Sequence, residues 1–238
     1  MMEMPFEQFP ALSAIGICRH VFTQRIPGID VSHDKAEVLK CLDATLCEIH
    51  NAIGVGDWPV VTAQQVHGNK IAVVREVGSA LRADRRRRGA ASLPSREFPG
   101  CDSIITNQRG IALGVYVADC CAVYIVDPKT PAIGLAHSGR KGTELGVVPN
   151  AIREMIDRFS SDPADMIVQL SPCIRPPHYE VDFAPEIISQ CHALGVKEIH
   201  DSDTCTACDL KRYYSYRAEK GKTGRMLALI GLNLTTAC

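Results

Sequence analysis

Apolar residues recur along this chain in short runs of strand length that are separated by turn residues. The clearest runs cover residues 103–106, 110–117, 122–127, 132–136 and 226–232. Short apolar runs bounded by Gly, Pro, Asn or Asp are typical of buried strands. Shorter or less regular runs predict further strands at 15–24, 60–61, 71–77, 166–170 and 213–216.

Helical spacing appears in three places. Between residues 34 and 53, apolar side chains recur every three or four positions, which predicts an amphipathic helix. Helices are also predicted over 147–159, where Pro149 lies in the first turn, and over 185–194, which is followed by Gly195. Many strands follow one another without an intervening helix. We therefore predict an α/β (α+β) fold with mixed sheets and flanking helices rather than a strict parallel βαβ array.

Length and charge limit the number of domains and the kinds of partner that this chain is expected to have. The chain has 238 residues, enough for one large domain or two small ones. Its formal net charge of -1 gives no global field for nucleic acid or an anionic membrane. No apolar run approaches the ~20 residues that span a bilayer. Residues 1–12 lack the basic start of a signal peptide, so we expect a cytoplasmic protein.

The chain contains 11 cysteines, an odd number without a regular framework. In a reducing compartment these are expected to be free thiols, most of them buried as small apolar side chains. Cys18, Cys41, Cys47 and Cys191 are interpreted in this way because each lies in an apolar or amphipathic segment.

An arginine-rich segment covers residues 80–99, where Arg82 and residues 85–88 lie among Ala, Gly, Ser and Pro. A solvated, mobile loop is the preferred interpretation. A phosphate-binding patch and a lid over an anionic substrate are the alternatives.

Three segments place a potential metal ligand beside a tight turn. His67 is followed by Gly68, Cys120 follows an apolar run and Asp119, and His137 ends another apolar run two residues before Gly139. Two imidazoles and one thiolate form a three-ligand zinc set that leaves a fourth position open for water or substrate. Copper accepts the same ligands and is the alternative metal.

The role of Cys120 stays open at this stage. It could be a metal thiolate, a nucleophile activated by a nearby histidine, or an inert thiol. The neighbouring Cys121 is interpreted as a packing residue. The remaining histidines are interpreted as structural: His20, His33, His50, His178, His192 and His200.

Two further groups of residues near the C-terminal end are candidates for a functional role. Arg217 and Arg225 flank lysines and Gly224, and arginine forks match phosphate geometry, although a surface turn would have the same composition. Cys205 and Cys208 form a C-x-x-C without a second ligand pair nearby, so a structural role or a place in the pocket wall is expected.

Taken together, the motifs resemble the laccase-domain family, also called the YfiH-type or multicopper polyphenol oxidase-like family. The matches follow one another through most of the chain: residues 19–25, Gln65-Val66-His67-Gly68, 102–106, Ala118-Asp119-Cys120, Ala136-His137-Ser138-Gly139, 171–174, Cys205-Thr206, Ser215-Tyr216-Arg217 and Thr223-Gly224-Arg225. The ordered set is highly specific, although no single piece decides the matter.

This resemblance implies one laccase-like domain over residues 1–238, with two mixed β-sheets packed together in a YfiH/CNF-like architecture. It implies zinc bound by His67, Cys120 and His137, which would also be the catalytic residues. Purine nucleoside and phosphate would be the substrates of a phosphorylase, with possible adenosine deamination. Arg217, Arg225 and Lys141 are the expected substrate contacts. A monomer or homodimer that binds neither nucleic acid nor membrane is expected.

Other activities remain alternatives. A cysteine hydrolase or amidase that edits peptidoglycan would use Cys120 as nucleophile and His137 as base. Polyphenol oxidation would need several coppers, but the chain has only 8 histidines and no His-x-His pair. Family members usually carry Trp-Arg where this chain has Arg140-Lys141, which motivates a diverged, non-catalytic metal-binding paralogue as the last alternative.

Overall fold

The fold is described from a computed structural model, which covers residues 4–31, 35–75 and 96–234. Two six-stranded mixed β-sheets form the centre of the molecule. The strands of the first sheet, in spatial order, are β1 (Phe6–Glu7), β2 (Cys18–Thr23), β12 (Met226–Leu232), β7 (Ala112–Val117), β3 (Val60–Ala63) and β5 (Arg96–Phe98). Those of the second are β11 (Glu198–Asp201), β10 (Ile167–Leu170), β8 (Cys121–Asp127), β9 (Ala132–Ser138), β6 (Ser103–Thr106) and β4 (Ile71–Val74).

Five α-helices flank the sheets in the described part of the chain. They are α1 (Pro10–Ile15), α2 (Lys35–Ala52), α3 (Arg140–Glu144), α4 (Val147–Phe159) and α5 (Ala184–Ala193). Short 3₁₀ turns occur at Pro163–Asp165 and Thr206–Cys208. The predicted architecture of two mixed sheets with flanking helices is confirmed. No helix within the described ranges has both the length and the apolar character needed to cross a membrane.

The second sheet is apolar on both faces, and each face belongs to a different hydrophobic core. Tyr124 and Val126 of β8 point into the core that the second sheet shares with the first sheet and α2. Val123 and Ile125 point the opposite way, into the core formed with α4 and α5. Because successive strand residues face opposite sides, a strand buried on both faces reads as an uninterrupted apolar run. This is why the sequence pattern located β8 and β9 well.

Strand pairing brings the ends of several elements together. β7 pairs in parallel with β3 and antiparallel with β12, and β9 pairs antiparallel with both β6 and β8. β7 belongs to the first sheet and β8 to the second, so the chain crosses between sheets at residues 118–120. The turn between β3 and β4 makes a similar crossing. Residues from both sheets therefore meet at this edge.

The predicted strand at 213–216 is wrong, because these residues form a bend, irregular backbone and the start of a turn. The N–H of Tyr213 donates to the carbonyl of Asp209 at 2.9 Å, and side chains receive the next two N–H groups. The N–H of Ser215 donates to Glu219 Oε2 at 3.1 Å, and that of Tyr214 lies 3.1 Å from Met226 Sδ. The Tyr213 and Tyr214 rings are nevertheless fully buried. Their aromatic character reflects burial, not strand pairing.

Three other predictions need correction. Ile15 belongs to helix α1, which ends at Gly16 with a φ of 73°, so the strand begins only at Cys18. Cys41 is exposed rather than packed, because it lies on the solvent side of α2 beside the buried Leu42. Of the predicted arginine-rich loop at 80–99, residues 80–95 lie outside the described residues, and Arg96–Phe98 form strand β5 on β3.

His20, in the first sheet, makes the free energy of unfolding depend on pH. Its Nε2 accepts a 2.7 Å hydrogen bond from the N–H of Phe9, and the two rings stack with centroids 5.8 Å apart. Burial lowers the pKa of His20 to about 4. The folded state therefore holds a neutral imidazole, whereas the unfolded chain protonates near pH 6.5.

We expect the free energy of unfolding to fall by about 3 kcal/mol through this group as pH drops from about 6.5 to 4. Urea unfolding across this pH range would measure it. His20→Gln keeps an acceptor for the N–H of Phe9 but cannot titrate, so its pH slope should be smaller. Equal slopes in the two proteins would contradict the assignment.

Candidate metal centre and cavity

His67, Cys120 and His137 meet at the edge where the two sheets adjoin. One ligand atom from each lies within 4.8 Å of the others, and the His67 and His137 ring centroids are 4.8 Å apart. His67 is exposed, Cys120 is partly buried and His137 is buried. The structure thus brings together the three residues that the sequence selected as ligands. It also extends β9 through Ser138, so His137 lies within the strand rather than just beyond it.

The buried carboxylate of Asp102 organises the two histidines. Its Oδ1 lies 3.0 Å from His137 Nδ1, so Nε2 is the ring nitrogen left for Cys120 or a metal. The N–H groups of His67 and Gly68 donate to the same carboxylate at 2.8 and 2.7 Å, and that of Val66 at 3.2 Å. A carboxylate on the second nitrogen of a ligand histidine fixes its orientation and tautomer.

The turn that carries His67 has an unusual backbone. Gln65 and His67 have φ values of 62° and 58°, in the left-handed region that costs of order 1–3 kcal/mol for a non-glycine residue. This conformation points three successive N–H groups at Asp102, which forms an anion-binding concavity. The Gln65 amide also donates to the carbonyl of Tyr116 at 2.6 Å and accepts from its N–H at 2.9 Å. These bonds fasten the turn to β7.

Hydrogen bonds to Asp119 fix the backbone next to Cys120. The carboxylate of Asp119 accepts from Thr206 Oγ1 at 2.8 Å and from the N–H of Arg217 at 2.9 Å. Its carbonyl accepts from the N–H of Ile174 at 3.0 Å. Three separate segments therefore fix the connection between β7 and β8. Cys121 points into the core beside α4 and α5, where its predicted packing role is confirmed.

Charge coupling within the cluster favours a thiolate. Burial raises the pKa of Cys120, but the charge of His137 and hydrogen bonds with both histidines outweigh it and lower the pKa to about 6. For His137, burial lowers the pKa, but the thiolate and Asp102 outweigh it and raise the pKa to about 9. Burial likewise raises the pKa of Asp102, whereas its bonds to His137, Gly68 and His67 bring it below the ordinary value. A thiolate is the form that either metal binding or nucleophilic attack requires.

The donor set fits a zinc ion. Thiolate and imidazole are the ligands that zinc prefers, and three of them leave an open position. The Asp102 carboxylate on His137 supplies the expected outer partner. These three residues form the one group of at least three close His, Cys, Asp or Glu ligands found among the described residues.

A cavity of about 710 Å³ opens in front of these ligands. Besides the three ligands, the wall contains polar residues, aromatic residues and four cationic side chains. The lining residues are Gln65, Tyr116, Ala118, Asp119, Gly139, Arg140, Ile174, Tyr179, Phe183, Tyr216, Arg217, Lys220 and Arg225.

Two of the three predicted substrate contacts line this cavity. Arg225 is partly buried; burial lowers the pKa of its guanidinium, and the charges of Asp119 and Cys120 act in the opposite direction. Arg217 stacks over the Tyr179 ring at 4.7 Å and donates to Glu180 Oε2 at 3.1 Å. Lys141 is exposed on α3 and is not among the lining residues, so its role stays a prediction.

Several residues of the site were missed in the sequence. Asp102 appeared only as part of a matched motif, and Arg140, Lys220 and Tyr179 received no role as site residues. An acidic residue directly before the apolar run of β6 was the available signal for Asp102. Nothing in the local pattern indicated which distant strand its carboxylate would reach.

Comparison with known proteins identifies the family. A family model described as multi-copper polyphenol oxidoreductase laccase matches residues 14–188 and 182–233. The chain belongs to this family. Relatives within it carry other names: a purine nucleoside phosphorylase, YlmD, of Geobacillus stearothermophilus is 28% identical over 86% of this chain and 82% of its own length. A Streptomyces coelicolor purine nucleoside phosphorylase is 29% identical over 76% of this chain and 78% of its own.

Two solved structures have the same fold as this chain. The crystal structure of YlmD from Geobacillus stearothermophilus superposes with a TM-score of 0.76 at 24% identity, covering 97% of this chain and all of its own. A Bacillus licheniformis hypothetical protein, YfiH, gives a TM-score of 0.75 at 22% identity, with 98% of each chain covered. This chain therefore shares its fold of two mixed sheets with flanking helices with both of these structures.

Gly139 is expected to be intolerant of any side chain. A Cβ at this position would lie 2.4 Å from Cys120 Sγ, a distance that real contacts do not reach. We expect Gly139→Ala to lower the free energy of unfolding by about 1–3 kcal/mol, because Cys120 must move. Gly142→Ala is the matched control, since its Cβ would make ordinary contacts of 3.4 Å or more. Similar urea midpoints for the two variants would argue against the packing assignment.

Asp102→Asn is expected to weaken metal binding without removing a ligand. The amide cannot accept all the hydrogen bonds that the carboxylate receives, so His67 and His137 lose their common support. We expect zinc affinity to fall about 10–100-fold, measured by competition with a chromophoric chelator.

Asp127→Asn is the control for this experiment. Asp127 is also buried, but it caps the turn after β8 through the N–H groups of Lys129 and Thr130. Its substitution should leave zinc affinity unchanged. Unaltered affinity in Asp102→Asn would overturn the role given to that carboxylate.

Proposed function

We propose that this protein is a zinc-dependent purine nucleoside phosphorylase, which cleaves adenosine and related nucleosides with phosphate. The observation that carries the proposal is the placement of cationic side chains and the three metal ligands in the same cavity. The names of the relatives supply the purine nucleoside. Phosphorolysis needs both a phosphate site and a way to activate the glycosidic bond.

Phosphate would be held by the arginines of the cavity. Arg225 lies close enough to Cys120 and Asp119 for their charges to act on it, so an anion bound there would sit beside the metal ligands. Nη1 of Arg225 is already fixed by the carbonyls of Thr223 and Gly224 at 3.1 and 2.8 Å. A preoriented guanidinium loses little freedom on binding an anion.

The purine would be held by the aromatic part of the wall. Tyr179 and Phe183 lie edge to face with centroids 6.4 Å apart, and Tyr216 is 54% exposed at the mouth. Aromatic rings bind planar bases through apolar contact and stacking. This arrangement would place the base toward Tyr179 and the ribose toward the metal ligands.

The metal would be held by His67, Cys120 and His137. A zinc ion there would supply a Lewis acid beside the substrate. Asp102 would keep His137 oriented, and Gln65 would keep the His67 turn in place. Phosphate oxygen would attack the anomeric carbon as the glycosidic bond breaks, and the departing base would take up a proton.

A cysteine hydrolase is the second candidate, and one observation favours it. Cys120, His137 and Asp102 form an ordered series of nucleophile, base and orienting carboxylate. An acyl group on Cys120, detected by mass spectrometry after reaction with a cell-wall precursor, would support this activity. Tightly bound stoichiometric zinc would count against it because the thiolate would then be occupied.

Incubation of zinc-quantified protein with adenosine and phosphate tests the main proposal. We expect phosphate-dependent formation of adenine, detected by chromatography, and its loss in Cys120→Ala. Arg225→Gln should mainly raise the KM for phosphate, because a charge on the anion site is lost. Cys41→Ser, at an exposed position on α2, is the matched control and should retain activity.

Each alternative has its own result in this assay. Inosine without adenine would indicate deamination in place of phosphorolysis. Metal binding without either product would contradict the nucleoside proposal for this substrate and direct attention to the hydrolase and to a non-catalytic metal-binding protein.

A further inference from the structure

The C-x-x-C at Cys205 and Cys208 is a feature that the proposed function does not use. Neither cysteine is among the residues that line the cavity. Cys205 precedes the 3₁₀ turn Thr206–Cys208, and the N–H of Cys208 donates to the carbonyl of Cys205 at 3.2 Å. Cys208 is exposed and Cys205 is partly buried. The pair is therefore reachable from solvent through Cys208.

The turn brings the two thiols within range of each other. A hydrogen-bonded turn of this type holds its first and fourth Cα atoms less than about 7 Å apart, which overlaps the range that disulfides span. The proximity of the Cys205 thiol also affects the acidity of Cys208. The pKa of Cys208 is raised above its ordinary value, mainly by a hydrogen bond with the Cys205 thiol and to a smaller extent by burial. Little backbone movement is needed to join them.

The residue enclosed by this pair touches the candidate site. Thr206 lies inside the turn and is fully buried, and its hydroxyl donates to Asp119 beside Cys120. The turn is further tied to the segment at Cys173, whose N–H donates to the carbonyl of Thr204 and whose carbonyl accepts from the N–H of Thr206, each at 3.1 Å. A covalent link between Cys205 and Cys208 would enclose the hydrogen-bonding partner of Asp119.

We propose that Cys205 and Cys208 form a reversible oxidation site, closed by exchange with a low-molecular-weight disulfide such as oxidised glutathione. The Cys208 thiolate attacks one sulfur of the oxidant and releases one small thiol, which leaves a mixed disulfide. The Cys205 thiolate then attacks the Cys208 sulfur and releases the second small thiol. Two protein thiols are oxidised, one disulfide of the oxidant is reduced, and both protons leave with the released thiols.

Other exposed thiols should react differently. Cys41 is exposed on α2 without a cysteine three residues away, so it should stop at the mixed disulfide. Because the pKa of Cys208 is raised, its thiolate is a minor species near neutral pH. Closure should therefore accelerate as pH rises.

Peptide mass spectrometry after treatment with oxidised glutathione tests this proposal. Trypsin releases residues 198–211 as one peptide, in which Cys205 and Cys208 are the only cysteines. After alkylation of the remaining free thiols, the expected peptide carries no alkyl group and is lighter than the dithiol by two hydrogen atoms. Dithiothreitol treatment before alkylation should restore two alkylation sites.

Two variants sharpen the result. Cys205→Ser should leave a glutathione adduct on Cys208, because the resolving thiol is gone. Cys41→Ser should close the 198–211 disulfide at the wild-type rate. A wild-type peptide that keeps glutathione on Cys208, or that is alkylated twice while Cys41 becomes glutathionylated, would overturn the proposal. Neither outcome depends on whether the protein turns over nucleosides.

Discussion

The site depends on the hydrogen bonds that the carboxylate of Asp102 makes. This carboxylate is buried, it receives N–H groups from the turn between β3 and β4, and it orients His137 on β9. The N–H of His137 also donates to the carbonyl of Asp102 at 2.8 Å. One residue before β6 thus joins three segments that are distant in sequence. Without its charge, the N–H groups of Val66, His67 and Gly68 would lose the acceptor that compensates for the left-handed backbone at His67.

The two names attached to the family are compatible with different chemistries, and the ligand set helps to separate them. Oxidation by several coppers requires many imidazoles around more than one metal. The described residues instead offer a single group of two histidines and one cysteine in front of a cationic and aromatic cavity. This arrangement offers ligands for one metal ion beside cationic side chains. Arg140, where relatives were expected to carry tryptophan, lines the cavity and pairs with Glu144. The departure therefore alters the wall of the cavity and leaves the ligands in place.

Sequence patterns located the buried strands and the three ligands because those features are local. Strands buried on both faces appear as continuous apolar runs, and His67, Cys120 and His137 each lie beside a turn at the end of such a run. Asp102 could not be assigned in this way, because its partners come from the turn between β3 and β4 and from strand β9. The error at 213–216 has a similar origin. Tyr213 and Tyr214 are buried through their rings, but their N–H groups go to Asp209 O and Met226 Sδ instead of a neighbouring strand, and a hydrophobic pattern cannot distinguish burial from strand pairing.

Strand β12 occupies the middle of the first sheet, between β2 and β7, although it is the last strand described along the chain. The N–H of Leu227 in β12 donates to Thr23 Oγ1 across a sequence separation of 204 residues. Pairings of such long range form late, because the entropy of closing the loop must be overcome first. Until β12 arrives during synthesis, β2 and β7 have unpaired edges of the kind that promote aggregation. Since β7 leads directly into Cys120, a partly synthesised chain would expose these edges while Cys120 still lacked a completed sheet behind it.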